Sequence, residues 1–246
     1  MRTLLHLGLI LLVLAACDPI APPIGEGGSG GDNTLARFAI TGDELYIIDK
    51  QSLRHFDISD PNNPVEGGRI TVGFNVQAIN ADDNRLYMST LTELNTFDLA
   101  DPDNPQLVGT YDGVNACNPV VFQGDYMYVS RRLGNPCGWS QLSHLAVVDF
   151  KDAGNPVESI SYEMESPYGL GTSPNTLFVC EGGNGLRVFL TEDPVDLVQT
   201  AHFRNLEAFQ VVPNGDVLVI TASDGIYQYD ISNPFRLDHI STIELN

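Results

Sequence analysis

Residues 53–64 read LRHFDISDPNNP and residues 94–105 read LNTFDLADPDNP, a near-repeat that returns three more times. Residues 145–156 read LAVVDFKDAGNP, residues 186–197 read LRVFLTEDPVDL, and residues 226–234 read IYQYDISNP. The equivalent positions are Asp57, Asp98, Asp149, Leu190 and Asp230, spaced 41, 51, 41 and 40 residues apart. Self-similarity at about 40–45 residues marks a stacked or circular array whose unit is a four-stranded propeller blade.

Working outward from that echo, each unit divides into four short strands. In the first, Ala36–Ile40 is an inner strand A, followed by the turn chemistry of Gly42 and Asp43. Leu45–Ile48 is strand B, with counterparts at Leu86–Ser89, Met127–Ser130, Leu177–Cys180 and Leu218–Thr221. These runs are aliphatic, β-branched and aromatic, as strands covered on both faces require. Leu53–Ile58 is strand C and Ser59–Pro64 turns the chain, because Pro61 and Pro64 lack the N–H a ladder needs. Val65–Val72 is the outer strand D. Gly, Pro and Asn interrupt every unit, and no long window carries a helical stripe. The expected class is all-β: a β-propeller of five four-stranded blades over residues 34–246. The last strand D, Leu237–Leu245, ends the fifth unit with no swapped closing strand, which leaves ring closure open.

The recurrent Asp at the end of strand C is expected to cap the turn that follows it, since Asp before such turns bonds nearby backbone N–H groups. A ring of catalytic acids is the weaker reading, because Leu190 breaks it in the fourth unit.

The first 33 residues supply an address. Met1–Ala16 carries Arg2, an apolar run from Leu9 to Leu14, and small residues at its exit, the pattern of a secretory signal too short to span a bilayer. Leu14-Ala15-Ala16-Cys17 resembles the bacterial lipobox, which implies cleavage before Cys17 and lipid on its thiol. An ordinary signal followed by a chance cysteine is the alternative. Residues 17–33 then form a Pro/Gly-rich tether. The expected location is the bacterial cell envelope, membrane-anchored and facing the periplasm or exterior, with Asp18 leaving the choice of membrane open. A net charge of −20 provides no footprint for nucleic acid and no attraction to anionic head groups, so contact with a membrane must come through lipid.

The apolar strand, the Asp and the D-P-x-N-P-like turn together resemble the LVIVD-repeat family of bacterial secreted and surface proteins. The resemblance is strongest in the first two units, weaker in the third, where Ala153 replaces the first Pro, and degraded in the last two. It implies a propeller displayed outside the cytoplasm and carries over no general catalytic motif.

The third unit departs from its siblings and so marks the candidate site. From strand B to strand C the first unit takes 8 residues (Leu45 to Leu53) and the third takes 18 (Met127 to Leu145). The insertion, Arg131–His144, holds the only Trp of the chain, Trp139, and its only adjacent arginines, Arg131 and Arg132. Insertions in repeat arrays map to the working face, and Trp and Arg are enriched at binding hot spots. A lid folded onto its own blade is the competing reading. Phe74, Asn75, Asn115, Asn118, Tyr168, Arg204 and Glu207 are further candidates for the channel mouth. Cys117 enters the third blade and Cys137 lies in its long loop, so a Cys117–Cys137 disulfide is expected in an oxidising compartment, while Cys180 reads as core.

Nothing in the motifs calls for a cofactor or a metal. His55, His144, His202 and His239 fall at non-equivalent positions, and there is no H-E-x-x-H, G-x-S-x-G, P-loop or Rossmann pattern. The expected function is therefore an interaction module for an envelope or extracellular protein, or for a small polar or glycan ligand. Its binding residues would be Arg131, Arg132, Trp139, Phe74, Tyr168 and Asn118. The alternative is a channel-centred propeller hydrolase or lyase, with or without a divalent metal, drawing on Glu181, Glu207 and Asn118.

Overall fold

The computed structural model describes residues 38–49, 51–73, 76–82, 84–134, 141–233 and 235–245. All regular structure among them is β, in five antiparallel four-stranded sheets whose strands are consecutive in the chain. Blade 1 is β1 (Phe38–Thr41), β2 (Glu44–Asp49), β3 (Ser52–Asp57) and β4 (Val65–Thr71). Blade 2 is β5 (Ala78–Ala81), β6 (Arg85–Ser89), β7 (Leu94–Asp98) and β8 (Gln106–Tyr111). Blade 3 is β9 (Val120–Gln123), β10 (Tyr126–Arg131), β11 (His144–Asp149) and β12 (Val157–Glu163). Blade 4 is β13 (Leu170–Ser173), β14 (Thr176–Cys180), β15 (Leu186–Leu190) and β16 (Val198–Phe203). Blade 5 is β17 (Ala208–Asn214), β18 (Val217–Ala222), β19 (Gly225–Asp230) and β20 (Asp238–Glu244). The repeat echo thus falls on the third strand of each blade and the turn after it. Every blade carries a register shift between its third and fourth strands, which increases the local twist.

The recurrent Asp does what turn chemistry predicts. Oδ1 of Asp57, Asp98, Asp149 and Asp230 accepts the N–H two residues on, at 2.8, 2.7, 3.0 and 2.8 Å. A second side chain three residues later repeats the trick: Asp60, Asp101, Asp152, Asp193 and Asn233 each cap the next turn. The residue after the first Asp sends its own N–H back to the loop joining the first two strands, as Ile58 does to Asp43 O at 2.8 Å. These side chains hold the backbone of the turns.

The core lies between blades, not within them. One cluster joins blades 1 and 2 through Tyr46, Ile48, Leu86 and Met88, and another joins blades 2 and 3 through Tyr87, Met127 and Val129. Tyr128, Leu177 and Val179 join blades 3 and 4, and Phe178, Leu218 and Ile220 join blades 4 and 5. Along the second strands of blades 2, 3 and 4, alternate side chains therefore serve opposite neighbours. In β14 all five residues are buried, and β10 has four consecutive buried residues, whereas in β2 and β18 only alternate residues are buried. Among the described residues no core cluster joins blade 5 to blade 1.

Hydrogen bonds cross each internal joint. Nδ1 of buried His55 lies 2.8 Å from Asp103 Oδ1, and the same oxygen accepts Gly68 N–H at 2.7 Å, tying blade 1 to the turn of blade 2. Arg85 Nη1 donates to Phe150 O at 3.1 Å between blades 2 and 3, and Gln123 Nε2 to Ser173 O at 2.7 Å between blades 3 and 4. Gly169 N–H donates to Phe209 O at 2.8 Å between blades 4 and 5. Gly68 is glycine by necessity, because a Cβ there would stand 1.6 Å from Asp103 O.

Candidate functional site

The departure of blade 3 from its siblings becomes a site through the chain entering it. The connection from β8 to β9 folds over the ends of β10 and β11, braced by two asparagines. Asn118 Oδ1 accepts Asn115 N–H at 3.1 Å, its Nδ2 donates to Ser130 O at 3.2 Å, and Asn115 Oδ1 accepts Cys117 N–H at 2.9 Å. Both amides are buried and their bonding groups face backbone. Asn118 is a wall of the site rather than a free donor.

Arg131, the last residue of β10, sits at the centre. Its Nε and Nη2 donate to Gly113 O at 3.1 and 2.8 Å, and Nη2 also reaches Tyr111 OH at 3.3 Å. Nη1 pairs with Glu158 Oε2 at 2.6 Å and lies 3.2 Å from His144 Nε2. Only 15% of this side chain is exposed, so its charge is largely spent on holding the connection and the outer strand together. Burial in this corner also pushes the Tyr111 hydroxyl pKa up. Around these groups opens a cavity of about 490 Å³, also lined by Gln141, Leu142 and His144.

Arg132 faces another way. Its guanidinium stacks 4.2 Å from the centroid of the Tyr168 ring, and Tyr168 meets Phe209 edge-on at 5.1 Å and 88°. Two adjacent arginines thus have different tasks, one inside the scaffold and one on an aromatic platform spanning blades 3 to 5. A second cavity of about 360 Å³ lies where the inner strands of blades 1–3 meet, with Tyr87 stacked on Phe122 at 3.8 Å and Asn118 in the wall shared with the first.

The structure therefore gathers Arg131 with Asn118, and Arg132 with Tyr168. Phe74, Asn75, Cys17, Cys137 and Trp139 lie outside the described residues, and so does one end of the expected Cys117–Cys137 bridge. Arg204 and Glu207 are exposed near blade 5. Glu181 is fully buried in blade 4, paired with Arg187 Nε and accepting Glu165 N–H at 2.9 Å, so it is separated from Asn118 in role. Among the described residues no group of three or more His, Cys, Asp or Glu is arranged to hold a metal ion. Cys180 is the free cysteine among them, and burial pushes its thiol pKa far up, as expected of a core residue.

Sequence reasoning missed Tyr111, His144 and Glu158 as partners of Arg131. The available signal was weak: an arginine in so acidic a chain is expected to find a carboxylate, but its partner stands 27 residues away.

This architecture defines a β-propeller-type scaffold with its most elaborate surface on blade 3. Residues 36–72, which contain blade 1, match the LVIVD repeat. No curated protein matches the chain. Among solved structures, a functionally unknown protein from Desulfotomaculum acetoxidans is similar at 15% identity and a TM-score of 0.58, over 83% of this chain and 67% of that one. A protein from Lactobacillus plantarum is similar at 15% identity and a TM-score of 0.59, over 84% and 70%. A β-propeller domain from Myceliophteria thermophila is similar at 12% identity and a TM-score of 0.56, over 85% and 73%. At these identities the likeness speaks for the fold alone.

Proposed function

We propose that this chain is a lipid-anchored, extracytoplasmic interaction module, tethered through Cys17 and residues 17–33 after loss of residues 1–16, with its binding face on blade 3. The observation that carries the reading is the cavity walled by Arg131, Asn118, Gln141 and His144, together with the Arg132–Tyr168 stack formed by the residue next to Arg131. Cavities with a few convergent polar groups on a rigid frame are the usual form of a recognition site. A Cys117–Cys137 disulfide would pin the loop, nominally adding about 3 kcal/mol by closing some 20 residues. Trp139 and Phe74, both outside the described residues, would supply apolar contact. The partner is an envelope protein or a small polar or glycan ligand.

Cross-linking and recovery from intact producing cells tests this. The wild type is compared with an Arg132→Ala/Trp139→Ala variant, sparing Arg131 because it braces the fold. A partner enriched by the wild type and lost with the variant supports the reading, whereas identical recoveries make the loop a lid. Counting free thiols in the denatured, unreduced protein tests the bridge. One thiol, that of Cys180, is expected with Cys17 lipidated, and three would remove the bridge from the account.

A further inference from the structure

Blades 1 and 5 each present a face whose counterpart is buried in the blades between them. Ile47 in blade 1 occupies the position of Met88, Val129, Val179 and Ile220, each buried against the preceding blade. Val219 in blade 5 occupies the position of Tyr46, Tyr87, Tyr128 and Phe178, each packed on the following blade. The end blades therefore carry the two complementary halves of a joint made four times inside the chain. On blade 1 the open face is apolar: Phe38 pairs with Ile47, Ile40 with Leu45, and Leu45 with Phe56. Phe38 and Ile40 are 57% and 52% exposed. On blade 5 Val212 pairs with Val219 and Ile226 with Ile243, and Val212 and Ile243 are 56% and 59% exposed.

The charges on these faces are satisfied within each blade: Arg54 pairs with Glu66 at 2.8 Å and Arg69 with Asp49 at 3.7 Å on blade 1, while on blade 5 Asp238 pairs with Arg236 at 2.6 Å and Asp230 caps its own turn. Size also complements. Val219 is smaller than the aromatic residue found there in the other blades, while Phe38 is larger than Ile79, Val120, Leu170 or Val211 at its own position. Each four-strand face of about five residues spans about 19 by 17 Å, so one joint covers roughly 600 Å² over both sides and two joints roughly 1,200 Å². A stable, specific interface needs about 1,000 Å², which two reciprocal joints reach and one does not.

We propose that blade 5 of one copy packs on blade 1 of a second copy, and that two copies do so reciprocally. Both faces travel on every chain, so the assembly needs no other component, and mutual pairing leaves no apolar face open.

The test is oxidative cross-linking of the full chain carrying Ile47→Cys/Val219→Cys, followed by mass determination under denaturing conditions. Sedimentation of the unmodified chain gives its native mass. A native mass of two chains with chain-to-chain cross-links is the expected result. Ile47→Arg and Val219→Arg, both on faces open in the single chain, should each shift that mass to one chain while keeping the wild-type circular dichroism. A cross-link confined within single chains, or a single-chain mass with no cross-link, overturns the proposal. A concentration-dependent ladder of many copies would overturn reciprocal pairing of two.

Discussion

Asp103 carries more of the fold than its exposed position suggests, because one oxygen takes both the His55 ring and the Gly68 N–H of the neighbouring blade. The His55 bond, then the Gly68 bond, holds its carboxyl pKa below the ordinary range. A carboxyl lowered in the folded state stabilises fully above its unfolded value of about 3.9, and the contribution disappears as pH falls through the folded value. Asp103→Asn should therefore melt lower than wild type at neutral pH, and the gap should narrow as acid is added below about pH 4. Thermal melts across that range check the sign; a gap that stays constant would mean the contact is not linked to charge. Gly68→Ala probes the same joint by bulk. A Cβ set against Asp103 O forces the blades apart, and a loss of about 1–3 kcal/mol is expected in denaturant titration, the usual scale for overpacking. The reason for glycine at residue 68, a turn 35 residues away that approaches it, was not legible in the sequence, which reads Val65–Val72 as a plain strand.

At the level of the strand and its turn, the repeat itself tells which residues are out of place. The position after the capping Asp is apolar in four blades, as Ile58, Leu99, Phe150 and Ile231, and is Thr191 in blade 4. Thr191 keeps the shared backbone bond, to Asn175 O at 3.0 Å, yet its Oγ1 is buried with no hydrogen-bond partner. Removing an unsatisfied buried hydroxyl without losing volume should stabilise, so Thr191→Val is expected to raise stability by about 1 kcal/mol, read as a shift of the denaturation midpoint with an unchanged slope. Elements of this kind were legible because their causes are local. Apolar second strands, Asp caps and Pro-bounded turns are set within a dozen residues, and the expected Leu45–Ile48 and Val65–Val72 strands appear as Glu44–Asp49 and Val65–Thr71. The inserted loop was legible by length alone. What Arg131 does was not, because Tyr111, Gly113 and Glu158 reach it through tertiary packing, and sequence reading offered it as a ligand contact when most of its donors are already engaged.

For the molecule as a whole, cores that lie between blades make stability a sum over neighbouring pairs. Blades 2, 3 and 4 are covered on two sides, whereas blades 1 and 5 are each covered on one. In the single chain, amide exchange should therefore be slowest in β10, β11 and β14 and faster in β2 and β18, since local opening follows buried contact. Concentration then separates two architectures that share every local feature. If second copies cover the end blades, protection of β2 and β18 must rise with protein concentration while β14 stays unchanged, because mass action stabilises only what the partner touches. If the chain instead closed upon itself, the five second strands would exchange alike at every dilution. Hydrogen exchange followed strand by strand across a dilution series thus reports on ring closure without disturbing a residue, and a flat, concentration-independent profile would place the missing joint inside one chain.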